Sequence, residues 1–186
     1  MEALTALHGR VSENRLTEPP PTLAQREALF QAALHVPDHG WLRPWRFVCI
    51  EGTARERLGD LFAKALLQKD PNASSAVLAR ARSAPLRAPL LVVVIARLHS
   101  PRMPEIEQLL SAGCAAHAIV LAAHAQGIGA IWRTGELAYE SAVMQGLGLD
   151  EHERIVGFIY LGTVIGERRS PALLDTADFV SDWTGA

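Results

Sequence analysis

Arg10 and Ser12 stand two residues apart in the polar segment Gly9-Arg10-Val11-Ser12-Glu13-Asn14-Arg15-Leu16. A guanidinium and a hydroxyl so placed can grip a phosphate, the first by charge and both by donated hydrogen bonds. A second group lies in Val36-Pro37-Asp38-His39-Gly40-Trp41-Leu42-Arg43-Pro44-Trp45-Arg46-Phe47, directly after His35. A simple connection needs about two to six residues and is indifferent to their identity. This one concentrates half of the chain's four tryptophans, and it reads as a loop that holds something flat and polar. His35 and His39 can donate to ring oxygens or to phosphate. A third group is Trp132-Arg133, a flat face beside a planar fork of donors.

Other chemistries lack a signal. Gly127-Ile128-Gly129-Ala130 precedes a strand and has no third glycine, whereas a dinucleotide fingerprint follows a strand and opens a helix. No GxxxxGK[ST] phosphate loop occurs, and no GxSxG nucleophile elbow. His35 and His39 are four apart, but Pro37 denies them a shared helical face. His117 and His124 share a face, yet no carboxylate lies one turn from either, and zinc wants three or four convergent donors. They read as packed or interface histidines. The cationic and aromatic groups together suit an anionic, planar, phosphorylated ligand, and flavin mononucleotide (FMN) has that chemistry.

These groups must be positioned by elements far apart in the chain. Glu2–Leu7 reads as a short helix, and Glu18-Pro19-Pro20-Pro21 as extended chain. Thr22 caps the next helix, with Leu23, Phe30, Ala33 and Leu34 on one face, and Pro37 ends it near Val36. Trp45–Glu51 reads as a strand. Thr53 caps an amphipathic helix over Ala54–Gln68, and a more polar helix follows over Ser74–Ala84. Leu90–Ala96 is a continuous β-branched run, as expected of a strand buried on both faces. Pro101 and Pro104 mark a loop before the longest helix, Glu105–Gln126. Its middle, Ala112–Ala123, is small and apolar nearly all round, which places it at the centre of the fold and suits a subunit interface. Gly127 closes it. Ile128–Trp132 is a strand, Leu137–Leu147 a helix ending at Gly148, and Arg154–Gly162 a buried strand. From Thr163 an extended tail carries Arg168, Arg169, Phe179 and Trp183. This order predicts an α+β domain, a sheet covered by helices.

The 186 residues suit one domain, and about half of them are hydrophobic, enough for a sizeable core. A net charge of −2 and a pI near 6.4 argue against a nucleic-acid partner, which would call for a basic excess. MEALTALHGR shows no secretory signal, and Pro89–Ala96 and Ala112–Ala125 are too short or too His-broken to span a bilayer. The expectation is a cytoplasmic protein with no membrane partner. Cys49 and Cys114 are expected to be buried free thiols.

Six segments carry a resemblance over nearly the whole chain. They are Arg10-Val11-Ser12 with Arg15-Leu16, Ala33–Phe47 around PDHGWLRPWRF, Arg87-Ala88-Pro89-Leu90, Ser111–Ala115, Ala125–Gly135 with GIGAIWRTG, and Ile155–Thr163. In this order the sequence resembles the nitroreductase family. The resemblance implies a nitroreductase-like α+β fold with a central mixed sheet, and an intertwined homodimer with one FMN at each of two interface sites. It implies NAD(P)H as reductant and a nitroaromatic, a quinone or a similar small molecule as electron acceptor, in two half-reactions through the flavin. By the same analogy Arg10, Val11 and Ser12 hold the flavin from one chain, and His35 and His39 reach it from the other. Ile131, Trp132 and Arg133 line the ring, and Arg168 reaches the phosphate. The family commonly has a second arginine beside Arg10; Val11 stands there, so one cation is lost. No catalytic acid or base is assigned. A flavin-binding, flavin-storing or regulatory dimer on the same fold is the alternative.

Overall fold

The computed structural model describes residues 1–98 and 102–185; Pro101 lies outside them. Six helices and five strands alternate as α1 (Ala3–Gly9), β1 (Leu16–Thr17), α2 (Leu23–Leu34), β2 (Trp45–Glu51), α3 (Ala54–Lys69), α4 (Ser75–Ser83), β3 (Leu90–Arg97), α5 (Glu105–Ala125), β4 (Gly129–Arg133), α6 (Ser141–Gly146) and β5 (Glu153–Val164). The sheet runs β2-β3-β5, with β4 and the two-residue β1 also on β5. Each pairing among the described residues is antiparallel, so the mixed character expected of the sheet has no parallel pair within this chain.

β3 is the spine. Leu90 through Ala96 are fully buried, as the unbroken β-branched run predicts. Its alternate residues serve two cores. Leu90, Val92 and Val94 meet Leu29 and Ala33 of α2 and Ala112, Ala116 and Ile119 of α5. Leu91, Val93 and Ile95 meet Leu58 and Phe62 of α3, Ala81 of α4 and Val143 of α6. The result is three layers, α2 and α5 on one face of the sheet and α3, α4 and α6 on the other.

Local chemistry sets the ends. Thr22 and Gln25 form a reciprocal capping box at α2. Thr53 stands before α3 without a side-chain cap bond, because its backbone is already helical at φ −68°, ψ −15°. Four expectations need correction. Leu23 and Leu34 are exposed; α2 buries Leu29 and Ala33 instead. The predicted helix over 137–147 is broken: a 3₁₀ turn, Glu136–Ala138, precedes α6, and Glu140 between them is extended at ψ 122°. α5 is central but not buried all round, since Ile106, Leu110, Cys114 and His117 form an exposed stripe. Both cysteines are exposed, Cys49 on edge strand β2 and Cys114 on that stripe. α5 also has the length and hydropathy of a membrane span. A core helix passes the same test, and Ala112, Ala115, Ala116 and Ala123 of α5 are fully buried in the domain.

The loop Val36–Pro44 bends sharply. Gly40, Trp41 and Arg43 all have positive φ, at 79°, 56° and 48°. Asp38 holds the bend, its Oδ2 accepting from the Arg43 backbone N–H at 2.6 Å.

Candidate functional site

After α1 the chain turns at Arg10, whose backbone N–H donates to Ala6 O and closes the helix. Three residues on, the Glu13 N–H donates to Ala130 O at 2.9 Å and fastens this segment beside β4. Glu13 is buried, and its Oε1 has no hydrogen-bond partner. The anchor brings Arg10 and Ser12 to a cavity of about 340 Å³ that is also lined by His117, Val120, Trp132 and Thr134.

β4 sends successive side chains to opposite faces of the sheet. Trp132 packs toward α5, and its Nε1–H donates to Val156 O at 3.4 Å. Gly157 leaves room for it, since a Cβ there would sit 2.1 Å from Trp132 Nε1. Ile131 packs into the opposite core, and the Arg133 guanidinium lies 5.9 Å from the Tyr160 ring centroid on that side. The side chains of Ile131 and Arg133 therefore do not line the cavity that Trp132 lines.

Behind Arg10, His124 is held below the ordinary imidazole value by burial first, then by the Arg168 and Arg10 charges. Those charges place Arg168 in the same neighbourhood, where its Nη2 donates to Gly127 O. A lowered value means that His124 adds less positive charge beside these two arginines.

The loop histidines stand apart. His35 lines a second cavity of about 460 Å³ with Val36, Asp38, Trp41, Arg43 and Trp45, and its Nδ1 meets Gln31 O at 2.6 Å. His39 Nδ1 meets Glu107 Oε2 at 2.5 Å. Trp45 forms part of that second cavity's wall but is mainly a core residue, 6% exposed. The chain thus unites Arg10, Ser12 and Trp132 and leaves His35 and His39 elsewhere. The sequence reading took His117 for a packed or interface histidine, named Thr134 only within GIGAIWRTG and did not single out Glu107. Thr134 had two signals, its place in GIGAIWRTG and its position in a loop after a strand, the usual place for binding residues. Among the described residues no group of three or more His, Cys, Asp or Glu could hold a metal ion.

Residues 7–163 match the model of the Nitroreductase family. The chain is 41% identical over 164 residues to the "Putative NAD(P)H nitroreductase YdjA" of Escherichia coli (strain K12), covering 88% of each chain. It is 35% identical over 184 residues to a "Putative NAD(P)H nitroreductase" of Haemophilus influenzae, covering 97% of this chain and 99% of the relative. Among solved structures, a nitroreductase-like family protein from Bacillus cereus superposes with a TM-score of 0.84 at 21% identity, covering 100% of this chain and 97% of that one. A nitroreductase with bound FMN from Bacteroides fragilis superposes with a TM-score of 0.75 at 20% identity, covering 98% and 99%. With a family match that runs from within α1 to within β5 and relatives matched over nearly their whole length, this chain belongs to the nitroreductase family.

Proposed function

We propose that the chain is an FMN-dependent oxidoreductase that uses NAD(P)H to reduce nitroaromatic, quinone or similar acceptors, with the flavin held between two copies of the chain. The observation that carries this is the cavity where Arg10, Ser12 and Thr134 meet Trp132 and Val120. A guanidinium and two hydroxyls suit a phosphate and ring oxygens, and an indole with a valine suits a planar apolar ring. The residues present fit FMN.

Arg10, Ser12 and the Val11 backbone would hold the flavin from one side, with Arg168 adding charge. The backbone of Ile131, Trp132 and Arg133 would form its floor, since only Trp132 presents its side chain there. His35 and His39 would come from the second copy, which accounts for their distance from Arg10 within one chain. When bound, the flavin supplies two-electron transfer from the nicotinamide to the acceptor. The chain's own part is placement and field. Trp132 and Val120 keep water from one wall. Arg10 and the flanking Arg168 set a positive potential that favours a more anionic ligand. Glu107 holds His39 by Nδ1 and leaves Nε2 as the free ring nitrogen.

Purified protein titrated with FMN tests the reading. Saturable binding is expected, with NAD(P)H oxidation once a quinone or nitroaromatic is added. Arg10→Ala should weaken FMN binding roughly ten- to hundredfold, the worth of a charged hydrogen bond. Protein that FMN cannot turn yellow would overturn the proposal. Flavin binding without nucleotide oxidation would leave a flavin-binding protein in its place.

A further inference from the structure

Thr134 lines two concavities. On one side is the Arg10 cavity. On the other is a groove of about 430 Å³, walled by Leu66, Val77, Arg80, Arg87 and Leu137 and floored by Thr134-Gly135-Glu136. The two are neighbours across one residue, at the point where β4 ends.

Two arginines, Arg80 and Arg87, line this second groove. Arg26, Arg46 and Arg82 each pair with a carboxylate, with Glu51, Glu153 and Asp60. Arg80 and Arg87 have no carboxylate partner among the described residues, and neither has Arg133 just behind the floor. The one acid in the groove, Glu136, is already held by Lys69, which also binds Glu140 at 2.9 Å. The buried Tyr160, outside the groove's lining, senses one of its arginines and Arg133. Burial raises the Tyr160 phenol above its usual value, while Arg87 and then Arg133 pull it back down. Two guanidiniums thus act on one buried phenol, and one of them, Arg87, lines the groove. Like charges gathered without a counter-ion repel one another, and the arrangement is favourable when an anion joins them. Arginine is the side chain best shaped for phosphate, through its planar fork of donors. The aliphatic wall of Leu66, Val77 and Leu137 suits a ribose or a base edge.

We propose that this groove binds the phosphate-bearing part of the dinucleotide reductant, so that the nicotinamide reaches the Arg10 cavity past Thr134 while Arg80 and Arg87 hold the phosphates. The proposal rests on the oxidoreductase reading above. It assigns these arginines to the reductant alone. The acceptor and the flavin do not need them.

The test is steady-state kinetics of the FMN-loaded protein and its Arg80→Gln/Arg87→Gln double variant, with NADH and NADPH in turn and a neutral quinone as acceptor. The variant should raise KM for the reductant roughly tenfold, the loss of one or two charge-assisted contacts. Its kcat, its flavin content and the quinone KM should hold. A rise confined to NADPH would identify the 2′-phosphate as the group bound, and an equal rise for both nucleotides the shared diphosphate. Added salt should raise the wild-type KM and barely move that of the variant. Calorimetric titration with NADP⁺ or NAD⁺ should give the same loss without turnover. Unchanged KM and unchanged dinucleotide affinity in the variant, with normal wild-type turnover, would overturn the groove alone. A wild-type protein that oxidises neither nucleotide would overturn the oxidoreductase reading itself.

Discussion

Glu153 is buried, 5% exposed, and grips Arg46 with both oxygens at 2.6 Å. The Arg46 hydrogen bonds are the main reason its carboxyl sits below the usual carboxylate range, with the Asp150 backbone N–H and the Arg46 and Arg97 charges adding to it. A carboxylate whose folded value is depressed stabilises the fold above its unfolded value and loses that contribution as pH falls through the folded one. Glu153→Gln should therefore lower stability by about 1–3 kcal/mol at neutral pH. In urea melts over a pH series, the gap to wild type should close as the medium becomes acidic enough to protonate Glu153; a gap that persists there would mean the ion pair is not its source. At this scale the candidate site was half legible. Arg10, Ser12 and Trp132 were recognisable from side-chain chemistry and do meet. His117 read only as a packed or interface histidine and Thr134 only as part of a motif, because which loop folds over which helix is not written in the local sequence. Trp45 misled because an indole before a strand reads the same whether it faces a ligand or the core.

At the scale of elements, β4 and β5 show how a backbone places a side chain. Gly157 lies on β5 under Trp132, with a built Cβ 2.1 Å from the indole nitrogen and 2.9 Å from Arg133 O. Gly157→Ala should cost about 1–3 kcal/mol, as overpacking does, and displace Trp132. Urea denaturation followed by tryptophan fluorescence checks both effects. Lost stability with an unchanged emission maximum would show that the indole does not depend on this glycine. β2, β3 and α3 were legible almost to the residue, because β-branched runs, Pro37 and Gly52 act locally. β1 was not, since two residues carry no pattern and Leu16 and Thr17 become a strand only by pairing with Val164 and Thr163. The break before α6 was hidden for a similar reason. Glu140 leaves the helical path where it meets Lys69, a residue of α3.

At the scale of the whole molecule, the sheet and its two helical layers account for the burial of one chain but leave apolar surface outside. Ile106 and Leu110 on α5 are 59% and 61% exposed, and Leu173, Leu174, Phe179 and Trp183 project from the tail. Under the shared-site reading, this surface meets a second copy that also brings His35 and His39. Leu110→Arg should then shift the protein toward monomer in sedimentation and weaken FMN binding together, although Leu110 does not line the Arg10 cavity. A monomer with undiminished FMN affinity would contradict that reading. A single sequence hides this level, because an exposed leucine and an interface leucine look alike until the fold fixes which face is free. One local feature bears on the molecule's stability. Trp41, 84% exposed, and Arg43 keep the left-handed backbone that glycine adopts without strain at Gly40 beside them. Such conformations cost about 1–3 kcal/mol each in non-glycine residues, against a typical net stability of about 5–15 kcal/mol. Glycine would adopt either conformation without that cost, so this loop holds two large side chains at an expense to the stability of the whole chain.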